Sequence, residues 1–169
     1  MGRLWKFEET IDTDILAPGF YMKAPLDELA QHCLEALRPE FAHHVQQGDV
    51  ILAGPNMGVG SSREQAAEVL KHLGIEAVIA PSFAGIFYRN AINIGLPVFV
   101  LPTPYINMPE LEDGAEVMFD FHRAELTLAA MGIEIALEPL PEFLRDLIID
   151  GGLVPHLEKR FAMQEGSSC

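Results

Sequence analysis

Within Gly58-Val59-Gly60-Ser61-Ser62-Arg63-Glu64-Gln65-Ala66 the chain gathers two hydroxyls, a guanidinium and two glycines. The run follows a strand-like Asp49–Ala53 and precedes a helix-like segment, so it reads as a Gly-rich turn that opens a helix. An anion is favoured at such a place, because the first N–H groups of a helix have no intrahelical partner and the macrodipole makes that end positive. Glycines, Gly60 among them, let the main chain approach a ligand. Ser61 and Ser62 can donate or accept, and Arg63 can grip a carboxylate through two parallel hydrogen bonds. A structural reading stands beside this one: Ser62 with Gln65 three residues on fits a capping box, which starts a helix without binding anything. Two nucleotide readings fail on spacing. Arg63 stands where a dinucleotide fingerprint needs its third glycine, and no Gly-Lys-Ser/Thr closes a phosphate loop.

The elements that must position this turn alternate in the manner of α/β units. Asp49–Ala53, Ala77–Ala80 and Pro97–Leu101 read as buried strands. Between them, helices are expected over about Glu64–Leu73, with Ala67, Leu70 and Leu73 on one face, and over about Phe83–Ile94, with Phe83, Ile86, Phe87, Ala91 and Ile94 inward. Gly74 and Gly95 sit where these helices should stop. After Thr103 the texture changes to short strands at Val117–Phe121, Glu125–Leu128 and Ile133–Leu137, which should pair antiparallel. A last helix is expected over about Pro141–Ile149, ending at Gly151-Gly152.

At 169 residues and 49% apolar composition, the chain has the length and the side chains for one domain with its own core. A net charge of −14 argues against nucleic acid and anionic membrane as partners, since both need a basic face. With 11 Lys and Arg in all, a cation beside a Gly-rich turn is informative if the ligand is a carboxylate. Cys33 and Cys169 have no metal-ligand spacing, and no run reaches the roughly 20 apolar residues of a membrane span. The chain reads as a cytoplasmic protein.

The string Gly-Ser-Ser-Arg-Glu-Gln-Ala resembles the active-site segment of the aconitase superfamily's mobile, swivelling domain, in the form found in small subunits of isopropylmalate and homoaconitate isomerases. Ile11-Asp12-Thr13-Asp14-Ile15-Leu16-Ala17-Pro18-Gly19 resembles that family's N-terminal Asp-Thr-Asp segment. Pro81–Pro97, around Tyr88-Arg89-Asn90, resembles its signature after the second of these strands, and Asp150–Pro155 is similar more weakly. The three stronger segments occur in the right order.

The resemblance implies an α/β fold: a single swivel-type domain over residues 1–163, a barrel-like mixed sheet flanked by helices, with 164–169 as a flexible tail. It implies a hydro-lyase subunit that moves a hydroxyl between adjacent carbons by dehydration and rehydration. The reaction would be 2-isopropylmalate to 3-isopropylmalate, in leucine biosynthesis, or that of a related alkylmalate. A homoaconitase-type tricarboxylate hydratase and a non-catalytic carboxylate-binding module are the alternatives. The family's 4Fe-4S cluster takes three cysteines, so it is expected on a separate large subunit, with no cofactor bound by this chain and no turnover without that partner. The sequence leaves open whether the isolated chain pairs with itself.

By the same resemblance Ser61 is the base, Arg63 holds a substrate carboxylate, and Ser62 hydrogen-bonds nearby. Asp14 orients Arg63 or its neighbours; a capping or Asx-turn role is its alternative. Substrate choice falls to Phe20-Tyr21-Met22-Lys23-Ala24-Pro25, with Tyr21, Met22 and Lys23 as candidate contacts. Lys23 can pair with a second carboxylate without an arginine's fork geometry, or it points to solvent. Arg89, Asn90 and Asn93 support the turn, meet a partner or form a solvated helix face. His43-His44 reads as a surface or helix-end pair, because adjacent helical residues diverge and no third ligand is evident.

Overall fold

A computed structural model describes residues 1–166 of the chain; Cys169, like the end of the expected tail, lies outside the described residues. Strand β1 (Gly2–Lys6) is followed by the short helices α1 (Thr13–Leu16), α2 (Leu26–Gln31) and α3 (Phe41–His44). Then come β2 (Val50–Leu52), α4 (Gln65–His72), β3 (Ala77–Ala80), α5 (Gly85–Asn93) and β4 (Val98–Val100). The second half supplies β5 (Glu116–Asp120), β6 (Glu125–Leu128), β7 (Ile133–Ala136), α6 (Glu142–Ile149) and α7 (Leu153–Gly166).

All seven strands belong to one sheet, in the order β4-β3-β2-β1-β5-β6-β7. From β4 to β1 the neighbours are parallel; from β1 through β5 and β6 to β7 they are antiparallel. The residues explain the division. Val50-Ile51-Leu52 and Ala77-Val78-Ile79-Ala80 are buried throughout, as parallel strands under crossover helices must be. In β5 and β6 buried Val117, Leu126 and Leu128 alternate with more exposed neighbours, the pattern of a sheet with one wet face.

The sheet curls. Laid flat, β4 and β5 would stand four strand spacings apart, about 19 Å. Instead Phe99 on β4 makes an edge contact with Phe119 on β5 at 5.4 Å between ring centroids, and another with Phe121 at 5.9 Å. Just past β7, the Glu138 N–H donates to the Val100 carbonyl of β4 at 3.0 Å, which nearly closes the ring. The barrel-like mixed sheet that the resemblance implies is therefore what forms.

Most of the expected elements appear within a residue or two of their predicted bounds. Others went unread: β1, the short helices α1 to α3, and α7, which runs on from the expected stop at Gly151-Gly152. On α5 one assignment is reversed. The helix starts at Gly85 rather than Phe83, and Ile86 is exposed while Phe87, Ala91 and Ile92 are buried.

Strand β1 is held at the centre by Asp49, which is buried. Its carboxylate accepts from Arg3 N–H at 2.8 Å, from Trp5 Nε1 at 2.8 Å and from Gln46 N–H at 3.0 Å. The Trp5 ring meets Phe41 edge-on at 4.9 Å. At the far end, the Asp150 carboxylate receives Lys159 Nζ at 2.6 Å and His156 Nδ1 at 2.7 Å, which ties α7 to the end of α6.

Two outcomes follow. Asp49→Ala leaves three donors without their acceptor, so stability should fall by at least about 2 kcal/mol in urea unfolding; a loss under about 0.5 kcal/mol would contradict the assignment. Lys159, and after it His156, hold the Asp150 carboxyl below its ordinary value. A lowered folded value means stabilisation that is complete above the unfolded carboxyl value and lost as pH falls through the folded one. The thermal midpoint of Asp150→Asn should therefore lie below wild type at pH about 7, with the gap closing towards pH about 3. A constant gap would show that the carboxylate is not responsible.

Candidate functional site

The four parallel strands end at one edge, and the chain leaving β1, β2 and β3 keeps sheet-like register beyond it. Gly58 N–H donates to the Ile11 carbonyl at 2.7 Å and Thr13 N–H to the Val59 carbonyl at 2.9 Å, forming a parallel bridge between Asp12 and Val59. Met57 N–H donates to Ser82 at 3.0 Å and Ala84 N–H to Met57 at 2.9 Å, forming a second bridge, Met57 to Phe83. Three loops thus lie side by side where α1, α4 and α5 begin. This carboxyl edge is where open α/β sheets present ligand sites.

The first loop brings two aspartates with different partners. Asp12 caps α1, accepting from Ile15 N–H at 2.8 Å. Asp14 is left to face Arg63, whose Nη1 donates to Asp14 Oδ1 at 2.5 Å and to the Ala17 carbonyl at 2.8 Å. The Arg63 side chain is only 15% exposed, so its orientation is set by the protein rather than by solvent. Its Nε and Nη2 have no protein hydrogen bond among the described residues, which leaves one edge of the fork for a ligand. Gly19 packs beside this pair; a Cβ there would lie 3.6 Å from Asp14 Oδ1 and 3.9 Å from Arg63 Nη2.

The second loop carries the serines. Ser61 is exposed, its N–H donates to Thr13 Oγ1 at 3.1 Å, and the two hydroxyl oxygens are 3.2 Å apart. Gly60 has φ +125°, and a Cβ on it would fall 2.7 Å from Thr13 Oγ1, so only glycine lets Ser61 reach that hydroxyl. The capping-box reading of Ser62 is not realised. Glu64 occupies the cap position of α4 with no side-chain capping bond, and Ser62 lies two residues too early. The Ser62 carbonyl instead accepts from Asn90 Nδ2 at 3.3 Å, so Asn90 supports the turn from α5 while Arg89 and Asn93 stay exposed.

Ser61, Arg63, Asp14 and Gly60 are therefore brought together, with Ser62 following directly. Tyr21, Met22 and Lys23 occupy the neighbouring turn that Gly19 begins, a 3-10 helix over Gly19–Tyr21, and none makes a hydrogen bond or ion pair with that set among the described residues. The Tyr21 ring is stacked on His32 at 3.5 Å between centroids, with His32 Nδ1 bonded to Glu35 at 2.6 Å. Met22 and Lys23 are exposed, and Phe20 is 91% exposed. Sequence reasoning missed Thr13 as a participant, although it stands in the Asp-Thr-Asp segment. It also missed Gly19 as a neighbour of the Arg63 pair.

An iron-sulfur cluster does not fit this chain's donors. The sequence has two cysteines where three ligands are needed, and burial pushes the Cys33 thiol well up, away from the thiolate a metal requires. His43 and His44 are exposed in the last turn of α3. Among the described residues no helix is long and apolar enough to cross a membrane. A hollow of about 410 Å³ opens elsewhere on the carboxyl edge, around Lys6, Glu8, Gly54 and Asn107, and contains none of Ser61, Arg63 or Asp14. The serines stand on an open surface.

Residues 18–103 match the aconitase C-terminal domain family, a stretch that includes Ser61, Ser62 and Arg63 and begins just after the Asp12–Asp14 segment. The chain is 47% identical over 159 residues to the methanogen homoaconitase small subunit of Methanothermobacter thermautotrophicus, covering 94% of this chain and 90% of that one. It is 48% identical over 156 residues to 3-isopropylmalate dehydratase small subunit 1 of Archaeoglobus fulgidus, covering 91% and 94%. A crystal structure of 3-isopropylmalate dehydratase from Methanocaldococcus jannaschii matches with a TM-score of 0.89 at 42% identity, over 99% of this chain and 98% of that one. The chain belongs to the aconitase C-terminal domain family.

Gly60→Ala puts a methyl group against the Thr13 hydroxyl in a backbone region that L residues avoid. Unfolding free energy should drop by about 1–3 kcal/mol; unchanged stability would contradict the described turn.

Proposed function

We propose that this chain is the small subunit of a heteromeric hydro-lyase, contributing the base and one carboxylate clamp for isomerising 2-isopropylmalate to 3-isopropylmalate by dehydration and rehydration. One observation carries the reading. Arg63 is fixed by Asp14 and Ala17 with one edge unpaired, in the same turn as an exposed hydroxyl on Ser61.

The chemistry follows from what those groups can do. A substrate carboxylate on the free edge of Arg63 is held by charge-assisted bonds, a local attraction against the repulsive field of a chain with net charge −14. The neighbouring carbon then faces Ser61. In its anionic form Ser61 Oγ takes the proton from that carbon, the C–H electron pair becomes the new double bond, and hydroxide leaves from the adjacent carbon with its own pair. An alkoxide is a costly base in water, and donors aimed at the developing charge lower that cost. Rehydration from the other carbon reverses the steps. The leaving hydroxide needs a Lewis acid that this chain's donors do not fit, so the large subunit would supply it. That division makes the isolated chain inactive.

Lys23 supports a second reading, a longer tricarboxylate of the homoaconitase kind. It is exposed, four residues beyond Gly19 on the turn beside the Arg63 pair, with no ion pair among the described residues. The relatives named for the two reactions are 47% and 48% identical to this chain, so overall likeness favours neither.

The test is anaerobic reconstitution with the cluster-bearing large subunit and a screen of 3-isopropylmalate, 2-methylmalate, 2,3-dimethylmalate and homocitrate. Turnover is expected from the mixture and from neither subunit alone, with 3-isopropylmalate preferred; no turnover of any of these acids would sink the reading. Ser61→Ala should lower kcat by about 10²–10⁴-fold. Arg63→Ala should lower kcat/KM by about 10–200-fold, the loss of about 1.5–3 kcal/mol of charge-assisted bonding. Lys23→Val should raise KM for homocitrate more than for 3-isopropylmalate if Lys23 reads a distal carboxylate. Equal changes would leave Lys23 a surface residue.

A further inference from the structure

Thr13 and Asp49 are the buried polar residues among those described. The bonds of Asp49 all serve the β1 and β2 junction, whereas both side-chain bonds of Thr13 go to Ser61. Thr13 is 2% exposed, so its hydroxyl proton has little access to solvent. A hydroxyl has one proton to donate and two lone pairs to accept with. One lone pair takes the Ser61 N–H at 3.1 Å. The acceptor within reach of the proton is Ser61 Oγ, at 3.2 Å. Were Ser61 to donate instead, Thr13 would accept twice and its own proton would be buried without a partner, an arrangement folded proteins avoid.

From this geometry we infer that Thr13 is a positioning residue for Ser61, donating its hydroxyl proton to Ser61 Oγ while accepting the Ser61 backbone N–H. The inference rests on the hydro-lyase reading above and adds a group to it. Two consequences follow for the base. Donation from Thr13 leaves the Ser61 proton on the open side, where the substrate carbon would lie. It also supplies a preorganised donor to the charge on Ser61 Oγ, which favours the anionic form over the neutral one. Thr13 keeps its proton throughout; Ser61 alone gains and loses one. The side chain is fixed from three directions, by α1 to which it belongs, by the Val59 carbonyl on its own N–H, and by Gly60, where any Cβ would displace it.

The experiment uses the complex with the large subunit and compares wild type, Thr13→Val, Thr13→Ala and Thr13→Ser in kcat, KM and the pH profile of kcat. Valine keeps the shape and removes the hydroxyl, so kcat should fall at least about tenfold with KM changed less than about threefold. The limb of the profile that reports the base should move to higher pH. Serine retains a hydroxyl on the same Cβ and should restore both kcat and the limb. Should the valine variant fail to assemble, alanine takes its place, with assembly checked by size-exclusion chromatography. Wild-type kcat and profile in whichever variant assembles, or equal impairment in serine and valine, would overturn the inference while leaving the hydro-lyase reading intact. Absence of turnover in the wild-type complex would overturn both.

Discussion

The Ile11–Thr13 and Gly58–Val59 segments are joined by two backbone hydrogen bonds beyond the ends of β1 and β2, at 2.7 and 2.9 Å. Each side chain of the candidate site hangs on that pairing. Asp14 and Arg63 are 49 positions apart in sequence, and Thr13 and Ser61 are 48 apart. Bringing such distant residues together costs loop-closure entropy, which the site's few side-chain bonds would not offset alone. A register already set by the parallel pairing of Leu4, Trp5 and Lys6 with Val50, Ile51 and Leu52 leaves little further to order.

That dependence explains why the centre of the sheet is built as it is. β1 is the strand at which parallel pairing gives way to antiparallel, and Asp49 and Trp5 pin it to the β2 side. The curled far wing returns through Phe99, Phe119 and the Glu138 to Val100 bond to cover β4, so the parallel strands lie inside the protein while their carboxyl ends stay open. Helix α4 is fastened at its far end as well, where Lys71 Nζ donates to the Ile94 carbonyl and His72 pairs with Asp27 of α2 at 2.9 Å. A serine held on such a frame can be exposed and still be well placed.

Much of this was legible in the residues, and the exceptions have physical causes. The apolar runs of β2 and β3 and the alternation in β6 announce parallel and antiparallel halves directly. β1 does not announce itself, because Gly2-Arg3-Leu4-Trp5-Lys6 puts two buried residues side by side between charges, and its central place comes from pairing on both edges. Helix α7 carries a proline at its start and charged residues along its length, so neither periodicity nor caps mark it. The Gly-rich turn was visible as a motif, yet its capping alternative could be set aside only once Glu64 was seen to hold the cap position. Thr13 has no distinguishing local signal between its two aspartates; its burial comes from the fold. The stacking of the Tyr21 ring on His32 is likewise a pairing that no local spacing encodes.

The frame leaves an open face carrying Ser61, Ser62 and the free edge of Arg63, with Phe20, Met22 and Lys23 on the turn that Gly19 starts beside it. Under the proposed function that face is half of a catalytic centre, closed by a second subunit around a hydroxy acid. Hydrogen–deuterium exchange tests this most directly, comparing the chain alone with its complex with the large subunit and bound hydroxy dicarboxylate. Protection centred on residues 11–23 and 57–64 is the expected result. Protection confined to α6 and α7, with those two segments exchanging as they do in the free chain, would contradict it.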